Sequence, residues 1–213
     1  MKKQILAIVA VAALATPAMA QSFNSDSGTV FGLPSSLYGA AAGPAYAGTW
    51  NSHGPAYNPV GLNGVALAGV NVTSFGGFAG FSFNNPGTIG DDQALMDDGI
   101  DGTHNVTVTG LSAGTYNVFT YAWAPDSAAA FTNVSVNGQP NQLIGGAWPG
   151  GHQQGVTYAL HTVNLLAGQS INIVTSAGIS FSTFNGFQIA LVPGPAGLAM
   201  LGMGLLASRR RRN

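Results

Sequence analysis

The chain predicts an all-β protein folded as a two-sheet β-sandwich, and three observations carry that prediction. Glycine is abundant at 31 of 213 residues, while charged residues make up only 6%, so the good helix formers Glu, Lys and Arg are nearly missing. Short runs of β-branched and aromatic residues recur, most clearly after Asn105, with turn residues between them. There is no cysteine, so neither disulfides nor thiol chemistry is available and the fold must rest on its hydrophobic core.

The elements follow in order. Lys2 and Lys3 precede an apolar stretch from Ile5 to Leu14, and Ala18-Met19-Ala20 forms an A-x-A cleavage signal. Residues 1–20 are therefore expected to be a signal peptide, cut between Ala20 and Gln21. Residues 21–60 are rich in Ser, Gly, Ala, Pro and Asn, with Phe31, Tyr38, Tyr46, Trp50 and Tyr57 dispersed among them. This composition predicts an irregular arm that pins aromatic rings onto the sandwich formed by residues 61–191.

Within the sandwich, Val65–Thr73 and Phe75–Phe83 are the first expected strands, closed by the turn Asn84-Asn85-Pro86-Gly87. Gln93–Met96 is expected to form one helical turn in an acidic loop. Strands are then predicted at Asn105–Thr109, Thr115–Trp123, Phe131–Val136, Thr157–Leu165, Ser170–Thr175 and Phe184–Leu191. Asn137-Gly138 is the strongest hairpin signal in the chain. About eight short strands with intervening turns suit a sandwich of two antiparallel sheets.

The last segment, 192–213, has a different character. Val192-Pro193-Gly194-Pro195 breaks regular structure, because proline fixes φ and restricts its predecessor. Ala196–Ser208 is Ala, Gly, Leu and Met closed by Ser, and as a helix of about 1.5 Å rise per residue it would reach roughly 20 Å. That is short for a bilayer core of about 30 Å. Arg209, Arg210, Arg211 and Arg212 would hold the far end in the cytoplasm. The expectation is a short transmembrane helix that serves as a transient anchor.

The V-P-x-P start, the G-L-x-x-L-G-x-G-L-L stretch and the terminal arginines together resemble the PEP-CTERM sorting signal of exported bacterial proteins. One position departs from that pattern: Gly194 stands where the motif has Glu. The resemblance implies an exosortase-type processing enzyme as partner and transient residence in the inner membrane. It further implies delivery to the cell surface or extracellular matrix. Inside the sandwich, G-L-S-A-G-T-Y-N-V-F-T-Y (Gly110–Tyr121) and N-G-F-Q-I (Asn185–Ile189) are similar to a galactose-binding-like jelly roll of the kind found in carbohydrate-binding modules. T-W-N (Thr49–Asn51) with D-D-Q-A-L-M-D-D (Asp91–Asp98) is similar to other exported proteins carrying this tail.

Charge placement narrows the function. All six basic residues lie in Lys2, Lys3 and Arg209–Arg212, and all seven acids are aspartates at 26, 91, 92, 97, 98, 101 and 126. A domain with no Lys or Arg is a poor match for nucleic acid, whose phosphates are bound mainly by those residues. Its uncharged polar surface suits hydrated polysaccharide. Trp50, Trp123 and Trp148 are the leading candidates for stacking on sugar faces, with Tyr57 and Tyr158 beside them. Asp97, Asp98 and Asp101 could offer oxygens to calcium, although not at EF-hand spacing. No other cofactor is expected.

Glycoside hydrolysis needs two carboxyls facing each other across a cleft, and the chain has no Glu and one acidic cluster. His53, His104, His152 and His161 form no zinc-binding spacing and are expected to act separately. No G-x-S-x-G elbow is present. The reading is a non-enzymatic, polysaccharide-binding or structural surface protein, with a secreted carbohydrate-active enzyme of the glycosidase class as the alternative.

Overall fold

A computed structural model describes residues 21–194. The expected signal peptide, with Ala18 and Ala20, and the tail from Pro195 through Arg209, Arg210, Arg211 and Arg212 lie outside the described residues. Among those described, no helix is long and apolar enough to cross a membrane.

Fourteen strands and one short helix make up the body: β1 (Phe23–Asp26), β2 (Trp50–Ser52), β3 (Ala56–Tyr57), β4 (Asn71–Gly76), β5 (Ala79–Ser82), α1 (Asp91–Met96), β6 (Asp98–Asp101), β7 (His104–Thr109), β8 (Gly114–Tyr121), β9 (Phe131–Val136), β10 (Gln142–Gly145), β11 (Tyr158–Leu165), β12 (Ile171–Ile179), β13 (Thr183–Phe184) and β14 (Gly186–Leu191). Two sheets face each other, one of five strands in the order β11-β8-β14-β1-β2 and one of six in the order β10-β9-β12-β7-β4-β3. A smaller sheet, β13-β6-β5, sits beside them. The expected two-sheet sandwich is the architecture observed.

The side-chain period of two builds the core. In β7, Val106 and Val108 point inward between Asn105, Thr107 and Thr109, and β12 sends Ile171 and Ile173 to meet them. The five-stranded sheet answers with Phe23, Tyr116, Val118, Phe187 and Ile189. Its other face is covered as well, by Trp50, Leu95, Met96, Phe119, Tyr121 and Trp123 together with residues of the segment after β1. Strands buried on both faces lose clean alternation, so Val118–Tyr121 of β8 and nearly all of β14 are buried without a break. Asn137 and Gly138 both have positive φ, 50° and 71°, as a primed hairpin turn between β9 and β10 requires.

The expected irregular arm at 21–60 is corrected at both ends. Phe23–Asp26 is a sheet strand, antiparallel to β14 and parallel to β2. Its F-N-S-D sequence hides this because Asn24 and Asp26 are buried beneath the covering segment. Between β1 and β2 the chain is irregular apart from two single 3-10 turns, Ala40–Ala42 and Pro44–Tyr46. Gln188 on β14 anchors it: its amide donates to Asn24 Oδ1 (2.8 Å) and the Gly39 carbonyl (3.2 Å). The same side chain accepts from Tyr121 Oη (2.5 Å) and the Ala42 N–H (3.3 Å). Other boundaries also move. The strand expected at Val65–Thr73 is formed only from Asn71, and the one expected at Phe75–Phe83 divides into the end of β4 and β5.

Candidate functional site

The covering segment, α1 and the loop before β11 converge on the outer face of the five-stranded sheet. Ser35 latches the segment to α1, its N–H and hydroxyl donating to Asp91 Oδ1 (2.7 Å) and Oδ2 (2.8 Å). That contact brings Tyr38 over the next acid. The Tyr38 hydroxyl donates to Asp92, and His152 Nε2 lies 2.5 Å from the same hydroxyl oxygen. Burial holds His152 down at about 4, opposed by Asp92, so the ring is neutral at pH 7. With the phenol proton directed at Asp92, the neutral ring carries its proton on Nε2 and donates it to Tyr38. Burial first, then the hydrogen bond to Asp92, pushes the Tyr38 phenol far above its ordinary value. A histidine–tyrosine–aspartate chain results, in which the imidazole and the phenol keep their protons.

Aromatic rings surround this chain. Trp148 is half-buried, its ring 5.0 Å from Trp123 and 6.2 Å from His152, with Gly87 packed against it. Tyr158 is also half-buried and lies 6.4 Å from His152. Thus two ring surfaces and one partly exposed carboxylate share a single neighbourhood.

The three tryptophans proposed for sugar contact separate here. Trp50 and Trp123 are only 4% and 2% exposed, and their indole N–H groups donate to the carbonyls of Tyr38 (3.1 Å) and Gly146 (2.8 Å). They are buried supports, which corrects their assignment as contact residues. Trp148 alone keeps an open face. Tyr38 and His152 were not singled out for this role from sequence, since 114 residues separate them and no local spacing signals the contact.

The three aspartates offered for calcium are directed to separate partners. Asp97 is buried and accepts from the Asn85 N–H (2.8 Å) and the Thr88 hydroxyl (2.7 Å). Asp98 turns to the other side and accepts the N–H groups of Val30 (2.7 Å) and Phe31 (3.1 Å). Asp101, on β6, stands between Thr183 of β13 and Ala79 of β5. Among the described residues no group of three or more His, Cys, Asp or Glu is placed to hold a metal. Instead, three buried oxygens without a hydrogen-bond partner, Asp26 Oδ2, Ser27 Oγ and Asp98 Oδ1, belong to residues at or against Gly28.

Two histidines expected to be separate meet. His53 Nε2 and His104 Nε2 are 3.2 Å apart, and Ser25 Oγ links the His53 ring (3.4 Å) to Tyr57 Oη (2.6 Å). Phe184 and Phe187 pack on this pair. Burial, with His104 adding to it, lowers His53 to about 3.

The last strand of the described residues, β14, ends at Leu191, next to the expected sorting motif. The Val192 N–H still donates to the Thr115 carbonyl (2.8 Å), whereas Pro193 has no N–H to continue, and Gly194 has nothing near its α-carbon. At the other end, Gln21 Oε1 accepts from the Ser112 N–H (2.7 Å) and Tyr116 Oη (2.9 Å).

No protein-family model and no curated protein matches the chain. Solved structures do. A β-glucuronidase from Bacteroides uniformis aligns with a TM-score of 0.50 at 12% identity, over 81% of this chain and 18% of that one. A calcium-binding mutant (D341A D367A) of β-glucuronidase 2 from the same organism gives 0.50 at 11% identity over the same shares. A family 35 carbohydrate-binding module from Clostridium thermocellum aligns at 0.34 and 14% identity, over 57% of this chain and 92% of that one. The chain spans less than a fifth of the length of the glucuronidases it matches. The class these likenesses define is a fold, a β-sandwich of the galactose-binding-like type.

Proposed function

We propose that the protein is an exported, non-enzymatic β-sandwich that binds polysaccharide at the cell surface or in the extracellular polymer layer. The observation that carries the binding half is Trp148, a half-open indole braced by buried Trp123 beside the Tyr38–Asp92–His152 chain. An apolar ring face with adjacent hydrogen-bonding groups suits a pyranose, which has C–H faces and a hydroxyl rim. Asp92 is available as an acceptor for those hydroxyls. The same site is a poor hydrolase. Asp91 is held by Ser35, Asp92 by Tyr38, and the acid Asp97 nearby is buried and hydrogen-bonded.

The export half rests on the signal-like N-terminus and the tail from Val192 to Arg212. It is supported by Gln21, which is tied into the fold at the expected cleavage point, and by the end of sheet pairing at Pro193. An exosortase-type enzyme is the proposed processing partner.

Affinity electrophoresis against a polysaccharide panel tests the binding. Retardation by at least one polysaccharide, reduced about tenfold or more in Trp148→Ala (a loss of about 1.4 kcal/mol), is expected without release of reducing ends. Turnover abolished by Asp92→Asn would replace this reading with the glycosidase one. Mass spectrometry of the protein from its own cells tests export, with a start at Gln21 and loss of Arg209–Arg212 expected.

A further inference from the structure

Every sheet has two edges, and unpaired edge strands invite pairing unless the protein covers them. Most edges here are covered. β10 and β11 are bridged by Gln142, whose side chain donates to the Leu160 carbonyl (2.6 Å) and accepts from the Leu160 N–H (3.1 Å). Gln139 adds a bond to the Thr162 carbonyl (2.9 Å). Beside β2, Asn51 reaches Val60, accepting from its N–H and donating to its carbonyl at 2.8 Å each. β3 is two residues long and flanked by Pro55 and Pro59. β13 is held on its far side by Thr132, whose hydroxyl accepts the Thr183 N–H (2.9 Å).

β5 has no such cover. It pairs only with β6, and Ala79, Gly80 and Ser82 are exposed. The pairing alternates as antiparallel ladders do. Phe83 donates to the Asp97 carbonyl, so Phe81 and Ala79 also bond toward β6. The N–H and C=O groups of Gly80 and Ser82 therefore point to the open side. Phe78 and Phe83 flank this edge at 78% and 48% exposure.

We propose that β5 is a self-association edge, at which a second copy of this chain pairs antiparallel and joins the two β13-β6-β5 sheets into one. Outward groups at alternate residues meet by two-fold symmetry about Phe81, placing Gly80 of one copy opposite Ser82 of the partner subunit. The symmetry of the edge selects the second copy as occupant, since its two outward residues, Gly80 and Ser82, are equally spaced about Phe81. Apart from the two termini the chain is purely acidic, so two copies repel over most of their surfaces. Residues 27–90 contain no Asp, Glu, Lys or Arg, and β5 lies inside that stretch. β5 carries no charge of its own, and of the two carboxylates behind it on β6 Asp98 is buried and Asp101 half-buried. No edge lysine or proline opposes the contact. The proposal does not depend on the polysaccharide reading, because it uses no residue of the Trp148 site.

Light scattering coupled to size exclusion, with hydrogen exchange read on peptides spanning residues 79–83, tests it. Two-chain mass is expected, with exchange at Gly80 and Ser82 slowing as protein concentration rises. Gly80→Pro should restore one-chain mass, because it removes an outward N–H that the monomer's own sheet does not use. Gly80→Lys should do the same, and the Cβ has room, since its nearest neighbour is the Gly99 carbonyl at 3.7 Å. One-chain mass in the parent overturns the proposal. So does a dimer that survives in folded Gly80→Lys protein.

Discussion

Asp26 and His53 lie within three residues of pairing strands yet respond to pH with opposite sign. Burial, helped by the nearby Asp98 and opposed by the Gly28 N–H, pushes Asp26 up to about 9. The folded protein then holds a proton that the unfolded chain releases near pH 4. Stability contributed by this group is greatest below about pH 4 and is lost as pH rises toward 9. Asp26→Asn should therefore exceed the parent in stability at pH 7 by about 1–3 kcal/mol. The gap should close near pH 4, as read from denaturant midpoints in the presence of a chelator. A variant less stable than the parent at pH 7 would refute this. Calcium that raises the melting temperature of the parent but not of Asp26→Asn would assign the three orphaned oxygens to a cation. For His53, lowered to about 3, stability is retained above about pH 6.5 and lost as pH falls toward 3. His53→Gln should flatten the acid limb of melting temperature against pH. Neither group announced itself in the sequence, because a carboxyl or imidazole gains its shift only from chain folded over it. The tryptophans make the same point. Trp123 and Trp148 both stand beside proline-containing turns, yet one becomes the other's support. Trp123→Ala should thus cost about 3–5 kcal/mol of stability, where Trp148→Ala costs mainly binding.

The segment between β1 and β2 is irregular and is held to the sandwich by separate side-chain latches, which can be released singly. Asp91→Ala removes both bonds to Ser35, whereas Ser35→Ala would remove only the hydroxyl one. Faster amide exchange across residues 31–47 is expected, with weaker polysaccharide binding through a misplaced Tyr38. The sandwich's unfolding midpoint should stay nearly unchanged. Equal acceleration throughout the domain would show that the segment and the sheets unfold as one unit. Elements whose outer face meets water were legible beforehand. β7, β9 and β12 alternate valine or isoleucine with Asn, Thr or Ser, and Asn137-Gly138 closes β9 visibly. β1, β6 and β10, with sequences FNSD, DGID and QLIG, were not. Their polar residues are buried or committed to neighbouring chain, so the pattern that marks a half-buried strand never forms. The candidate site belongs to this second kind, being assembled from a loop, a helix start and another loop that no short-range spacing connects.

At the scale of the molecule, the sandwich keeps its sheets together without a single Lys or Arg between residues 21 and 192. The one ion-pair geometry among the described residues is His152 with Asp92 at 3.5 Å, and that histidine is held neutral. Packing and amide hydrogen bonds carry the fold. Thermal midpoints at neutral pH are accordingly expected to rise modestly with salt, which screens acid–acid repulsion; a marked fall would reveal an attractive pair that has been overlooked. The order of strands sets a further condition. β14 lies between β8 and β1, so the first strand of the described residues finds its antiparallel neighbour only in the last of them. A polypeptide emerging N-terminus first cannot close its five-stranded sheet until residues 186–191 are free. Stalled chains ending before Gly186 should remain sensitive to proteases that spare the finished protein. Such a chain stays pliable for as long as β14 is withheld and hardens only when that strand slots between β8 and β1.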